Sequence, residues 1–171
     1  MISNRRSIMK LIELAGSIQA KLLDNVKRHE GGEHAQENKS FKNNRFYTYQ
    51  DSLKKETIGY GHLVRQGESF PDGMTVDAAN QLLKRDLDMA VNDANSWIAL
   101  SGKPGEVQLI LIEMVYQLGK GGACEFKKFA AAIERRDYFA AAQELRASKW
   151  YTQTPNRVKE YASVLESLPR G

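Results

Sequence analysis

A chain of 171 residues with 42% hydrophobic and 27% charged side chains has about the length of one domain and enough apolar matter for a core. Thirteen glycines and four prolines exclude a fibrous or low-complexity chain, and the single cysteine, Cys124, excludes an internal disulfide framework or a four-thiolate zinc site. The net charge of +4 is local, with 11 basic and 7 acidic side chains in residues 1–60 and 14 of each in residues 61–171, an excess that permits an acidic partner (nucleic acid, anionic lipid or cell-wall polymer) and specifies none.

Residues 1 to about 30 read as helix. Arg5 and Arg6 followed by Ile8, Met9, Leu11, Ile12 and Leu14 have a faint signal-peptide character, but Lys10 and Glu13 interrupt it and no small-residue cleavage site follows. Ile8, Leu11, Ile12, Ala15 and Ile18 instead fall at helical spacing, and Gly16 is placed to separate them from Leu22, Leu23 and Val26. The Gly-, Asn- and Lys-rich stretch Gly32–Asn44 reads as a loop. Two β-like runs follow, Arg45–Tyr49 and Thr57–Leu63, joined by a turn at Ser52–Glu56, which predicts a small antiparallel sheet. From Thr75 the pattern is helical. Thr75 caps a helix of about 22 residues whose Leu83, Leu87, Ala90, Val91, Ala94 and Trp97 recur at helical steps. Glu106–Leu118 is apolar on nearly all sides, which marks a buried helix, and Gly119 is placed to stop it. Further helices are expected over Glu125–Arg135, after an Asp137 cap, and from Thr154 with Pro155 in the first turn. The longest apolar run, Leu109–Ile112 resumed by Met114–Tyr116, falls short of the roughly 20 residues a membrane span needs.

The chemistry is concentrated between His29 and His62. Glu30 falls at the C-terminal end of a helix, where the dipole disfavours a carboxylate and raises its pKa, as suits a general acid. Asp51 ends a strand beside a polar turn, where it stays ionised. Two carboxylates in contrasting environments are the arrangement glycoside hydrolysis uses. Thr57 offers a hydroxyl that can hold a water, and Gly59 and Gly61 let backbone lie close to a ligand. On their own these features are weak, because any helix end can carry a Glu.

The combination is more specific. Glu30-Gly31, Asp51, Thr57 six residues on, and Ile58-Gly59-Tyr60-Gly61-His62 together resemble the T-even-phage-type lysozymes, the muramidases of glycoside hydrolase family 24. Met114–Gly119 resembles that family's central helix, and Trp150–Arg157 its Trp-Tyr-x-Gln-Thr-Pro-Asn-Arg block, so the likeness covers about residues 20–160. The resemblance implies an α+β, two-lobed fold: an extension over 1–18, a first helix and small β lobe over 19–74, a connecting helix over 75–98 and a helical lobe over 99–171. It implies a cleft between lobes that takes the peptidoglycan glycan, and cleavage of the β-1,4 bond between N-acetylmuramic acid and N-acetylglucosamine without metal or organic cofactor.

The implied roles are specific. Glu30 is the general acid, Asp51 the carboxylate that aligns or deprotonates water, and Thr57 a holder of that water. The family is regarded as inverting, which predicts carboxyl groups roughly 6.5–9.5 Å apart. Arg157 would pair with Glu30, which opposes a raised pKa, and His62 with Asp86. Leu63, Tyr116 and Phe129 would line the cleft, with Gln117 behind it. Phe129 and Glu144 stand where the family has small polar residues, so subsite contacts differ there.

Plainer readings stand beside these. Tyr116 and Trp150 can be core, Arg157 a solvated charge, and His62 structural. His29 and His34 read as surface residues, Cys124 as an inert thiol, and Glu113 has no evident partner inside its apolar helix. The loop Gly32–Asn44 makes the Glu30–Asp51 separation longer than the family pattern. The expected protein is a monomeric endolysin without a stable membrane anchor, held in the host cytoplasm until a holin opens the membrane. A lysozyme acting at phage entry, a non-catalytic wall-binding module and a nucleic-acid-binding protein are the alternatives. The intact Glu30, Asp51 and Thr57 set argues against the second, and the balanced charge of residues 61–171 against the third.

Overall fold

The computed structural model describes residues 8–30, 40–51 and 53–170. The expectations for Arg5, Arg6, Gly31, His34 and residues 32–39 lie outside them. The chain forms two compact units, one of Lys10–Met89 and the other of residues 90–170 with Ile8 and Met9. With small antiparallel sheets, many helices and one long helix, the fold is the expected α+β, lysozyme-like class.

The first unit opens with a departure from expectation. Leu11–Glu13 is a single 3-10 turn, and Leu14 and Ala15 are extended, so of the helix expected over residues 1 to about 30 the described residues form α1 from Gly16 to His29 and no α-helix over 8–15. One long-range and one local hydrogen bond hold the segment instead: the Leu11 amide donates to Asp88 Oδ1 at 2.8 Å, and Gln19 Nε2 donates to the Leu14 carbonyl at 2.8 Å. Leu11 and Leu14 are thereby buried, while Ile12 stays 79% exposed.

Two three-stranded antiparallel sheets follow where one was predicted. β1 (Phe41–Lys42), β2 (Arg45–Phe46) and β6 (Met74–Thr75) make the first, in the order β1-β2-β6. β3 (Tyr49–Gln50), β4 (Glu56–Ile58) and β5 (His62–Leu63) make the second, in chain order. The run Arg45–Tyr49 is thus split between sheets. β1 corrects the reading of Gly32–Asn44 as loop. Asn43 and Asn44 both take positive φ (52° and 56°), the requirement of a two-residue type I′ hairpin, and Phe41 and Phe46 pair across it with ring centroids 4.8 Å apart. Asparagine is a poor strand former and a good turn former, and here the second property decides. Phe46, Ile58, Tyr60 and Met74 are buried in this unit with Leu22 and Val26 of α1. Lys27 of α1 lies over the Tyr60 ring, 5.3 Å from its centroid.

α2 spans Val76–Trp97, and Thr75 caps it as expected, its Oγ1 accepting from the Ala78 amide at 3.1 Å. Residues 76–89 belong to the first unit and 90–97 to the second. In the second unit α3 (Gly105–Cys124) is broken at Gly119, whose φ of 69° and ψ of 162° are left-handed and non-helical, and resumes for one turn. Its first stretch, Val107 and Leu109–Val115, is buried, as an all-round apolar helix must be. α4 (Lys127–Glu134) is shorter than predicted. α5 (Tyr138–Arg146) is capped by Asp137, which accepts from the Ala140 amide at 3.0 Å. α6 (Lys149–Gln153), an element the sequence pattern did not predict, is capped by Ser148. α7 (Pro155–Ser167) has Pro155 in its first turn, but Thr154 makes no side-chain cap and donates instead to the Trp150 carbonyl at 3.3 Å. α5 packs on α4 and α7, and α7 on α3 and α6.

Candidate active site

Glu30 is the C-cap of α1, at φ −97° and ψ 15°, its amide donating to the Val26 carbonyl at 2.9 Å. The helix therefore delivers its carboxylate at the carbonyl end. The carboxylate rests on the glycine motif. A β-carbon built on Gly61 would lie 2.7 Å from Glu30 Oε2 and 3.0 Å from Cδ. Gly61 itself is at φ 84°, so both its space and its backbone conformation call for glycine.

Asp51 stands at the mouth of the β3–β4 hairpin. Its amide donates to the Lys55 carbonyl at 2.9 Å, and its carboxylate Oδ1 accepts from the Leu53 and Lys55 amides, both at 2.8 Å. This Asx-type arrangement occupies Oδ1 with backbone donors. Thr57 lies on β4, 4% exposed, and its Oγ1 donates to the Lys55 carbonyl at 3.1 Å. That bond uses the hydroxyl proton and leaves the oxygen to accept.

The register assembles the rest. Thr57 pairs with Tyr49 on one side and with Leu63 on the other. Directly opposed residues share a sheet face, and residues two apart on a strand share one too. Tyr49, Thr57 and Leu63 therefore belong to one face, and Asp51 follows β3 at the turn beside it. Leu63 is 45% exposed there. Burial pushes the Tyr49 phenol up to about 12, and the charges of Glu30 and Asp51 push in the same direction.

His62 and Ile58 take the opposite side. The His62 ring is buried, with Nδ1 2.8 Å from Asp86 Oδ2 on α2 and Nε2 2.9 Å from Glu68 Oε2. Glu68 also accepts from the Arg65 amide at 2.8 Å, and these two bonds hold its carboxyl below the usual range, the Arg65 amide foremost. His62 thus has the Asp86 partner that the resemblance implied and a second that the sequence did not reveal. Among the described residues no cluster of three or more His, Cys, Asp or Glu could hold a metal ion, and no helix is long and apolar enough to cross a membrane.

The other expected site residues lie in the second unit. Tyr116 and Gln117 end the first stretch of α3, half-buried, and Arg157 is half-buried in the first turn of α7. Phe129 is a correction. It is 1% exposed, stacked on Trp97 at 6.2 Å and edge-on to Phe126 at 6.5 Å. A ring enclosed in this way is core and has no surface to offer a sugar. Glu144 is half-buried on α5. Trp150 is likewise buried, between Phe126 and Tyr161.

Glu113 does have a partner. It is 2% exposed and accepts a short hydrogen bond from the Tyr161 hydroxyl on α7. Burial, then the Glu113 charge, drive the Tyr161 phenol far up, while Arg157 one turn earlier opposes them. Sequence reading missed Tyr49, Glu68 and Tyr161. Only Tyr49 left a local trace, its place two residues before Asp51 in a β-like run.

The phage lysozyme family model matches residues 39–163, a span that begins after Glu30 and includes Asp51, Thr57 and Arg157. The chain is 26% identical over 144 residues to "Probable T4-type lysozyme 2" of Dictyostelium discoideum, covering 70% of this chain and 85% of that one. It is 31% identical over 123 residues to the peptidoglycan hydrolase gp36 of Pseudomonas phage phiKMV, covering 68% of this chain and 14% of that protein. It is 26% identical over 148 residues to the pre-baseplate central spike protein Gp5 of Enterobacteria phage T4, covering 71% of this chain and 25% of the spike. A family match over most of the chain, on a fold that holds Asp51 and Thr57 on one hairpin and rests Glu30 on the glycine motif, makes this chain a member of the phage lysozyme family.

Proposed function

We propose that the protein is an N-acetylmuramidase that hydrolyses the β-1,4 bond between N-acetylmuramic acid and N-acetylglucosamine in peptidoglycan, with inversion at the anomeric carbon. The observation that carries the reading is the disposition of acceptors around Thr57. Asp51 Oδ1 is taken by two backbone amides and the Thr57 proton by the Lys55 carbonyl. A water at this face donates one proton to Asp51 Oδ2 and the other to Thr57 Oγ1. Its lone pair is then free for the anomeric carbon. As the oxygen attacks, its proton passes to Asp51 and the Glu30 proton passes to the departing glycosidic oxygen. Leu63, exposed on the same face, gives the sugar an apolar contact.

Replacing Glu30 with Gln abolishes lysis of purified peptidoglycan and leaves binding intact; surviving lysis refutes the acid assignment. Product analysis tests the bond. Reducing-end muramic acid of inverted configuration agrees with the reading, whereas anhydro-muramic ends or freed amides overturn it. We place the activity at host lysis: a monomer accumulating in the host cytoplasm and reaching the wall once a holin opens the membrane. Cytoplasmic expression should then lyse cells only when the membrane is permeabilised. The similarity to a central spike protein favours a second reading, wall penetration at phage entry, which predicts the protein in purified virions.

A further inference from the structure

The second unit holds a pocket of about 520 Å³ where the turn between α4 and α5 meets the end of the chain. Local sequence builds it. Arg135 is the C-cap of α4, and Arg136 takes a left-handed φ of 60°, which turns the chain into the Asp137 cap of α5. After α7 ends at Ser167, Leu168 is extended and Pro169 lacks the amide to continue a helix. Arg170 then comes back over α5, its guanidinium above the Phe139 ring and 4.6 Å from the centroid. Three arginines, Arg135, Arg136 and Arg170, thereby line one pocket, and Phe139, Leu168 and Pro169 give it an apolar wall.

Cationic charge is in excess there. Among the described residues none of the three guanidiniums is in an ion pair: Glu134 pairs with Lys103 at 3.6 Å, and Asp137, the one acid of the lining, has Oδ1 engaged by the Ala140 amide. Two of the three arginines are held in place. Arg136 donates to the Gly102 carbonyl at 3.2 Å, and Arg170 rests its face on Phe139, which leaves the N–H groups of its edge free to donate. Tyr138, also in the lining, is 5% exposed, and its hydroxyl has no hydrogen-bond partner among the described residues, a donor that is costly to leave unsatisfied.

We propose that this pocket binds a phosphate-type oxyanion, free or carried on the headgroup of an anionic lipid. The site is independent of the muramidase reading. A guanidinium presents a planar fork that matches two phosphate oxygens, and phosphate keeps a further oxygen for a second arginine. Neighbouring cations repel until an anion lies between them, so three guanidiniums around one concavity favour an anionic occupant. The wall adds a preference. Phe139 is 43% exposed beside the arginines, and such an apolar surface suits the carbons attached to a lipid phosphate.

The test uses the full chain and two double variants of equal charge change. Arg135→Gln with Arg170→Gln empties the pocket of two cations. Lys127→Gln with Lys128→Gln removes two from exposed positions at the start of α4. Inorganic phosphate is titrated at constant ionic strength against chloride, with the amide NMR shifts of residues 135–139 and 168–170 as readout. These amides should shift saturably with phosphate and not with chloride. R135Q/R170Q should weaken the affinity by about tenfold, and K127Q/K128Q should leave it unchanged. Co-sedimentation with vesicles then identifies the source. Retention on phosphatidylglycerol vesicles and not on phosphatidylcholine, lost in R135Q/R170Q alone, assigns a lipid-borne phosphate; retention on neither assigns free phosphate. The absence of a saturable phosphate effect at these amides overturns the proposal. So does an effect that chloride reproduces, or one that both double variants weaken equally, since either makes the attraction one of general charge. Should R135Q/R170Q melt before the titration temperature, Arg170→Gln alone decides, because Arg170 lies beyond the last helix: about a threefold loss supports the site and parental affinity refutes it.

Discussion

A β-carbon at Gly61 would meet Glu30 Oε2 at 2.7 Å, on a backbone already at φ 84°. Gly61→Ala should therefore act twice. The left-handed conformation costs an L-residue about 1–2 kcal/mol, and on the muramidase reading the displaced carboxylate loses its aim at the glycosidic oxygen. Misplacement on the order of 1 Å costs roughly a hundredfold in rate, so the lysis rate should fall by about that factor while the protein still melts cooperatively. A variant of parental activity would place the Glu30 carboxylate elsewhere. Glu113 and Tyr161 make the complementary case, a residue pair that concerns stability. Removing the phenol donor with Tyr161→Phe takes a hydrogen bond from a buried carboxyl, and denaturant unfolding should register a loss of about 1–3 kcal/mol. A change within a few tenths would mean that the bond contributes nothing net.

At the scale of elements, two of the three expected caps were legible, and Thr154 was not. Thr75 and Asp137 each accept the expected amide, because a cap is a bond between neighbours in sequence. The β region was legible as composition and illegible as pairing. Arg45–Tyr49 looks like one strand, yet Arg45 pairs with Thr75 and Tyr49 with Thr57, in separate sheets. α6 was missed because five residues carry too little periodicity to read. The Arg65–Glu68 segment illustrates an element held by charge. Glu68 accepts from the Arg65 amide and lies 2.9 Å from His62 Nε2, and its carboxyl sits below the usual 4.5. A depressed carboxyl contributes stability that is complete above its unfolded value and lost as pH falls through its folded value. Glu68→Gln should thus lower Tm at pH 6, and the gap to the parent should close as pH drops below about 4. A gap independent of pH would assign the loss to packing.

For the molecule as a whole, charge is the property that acts at a distance. The net +4 arises entirely in residues 1–60, the stretch that carries Glu30, Asp51 and Thr57. Attraction to an anionic envelope speeds encounter and is screened within about 8 Å at physiological ionic strength. Lysis of whole cells should slow as salt rises from 0.05 to about 0.5 M, while cleavage of short soluble glycans stays nearly constant. Equal salt sensitivity of both would move the effect into the site itself.

The sequence by itself determined the family and the candidate reactive residues. Glu30 at a helix end, the six-residue step from Asp51 to Thr57 and the Gly59–Gly61 pair are spacings along one backbone, and covalent geometry with local hydrogen bonds is enough to express them. Only the tertiary structure decided what surrounds those groups. Phe129 became core, Glu68 joined Asp86 at His62, Tyr49 came to stand beside Thr57, and Tyr161 reached a carboxyl 48 residues away. Strand register and helix packing make these contacts. They depend on burying apolar faces that are far apart along the chain, and no local spacing encodes which faces meet.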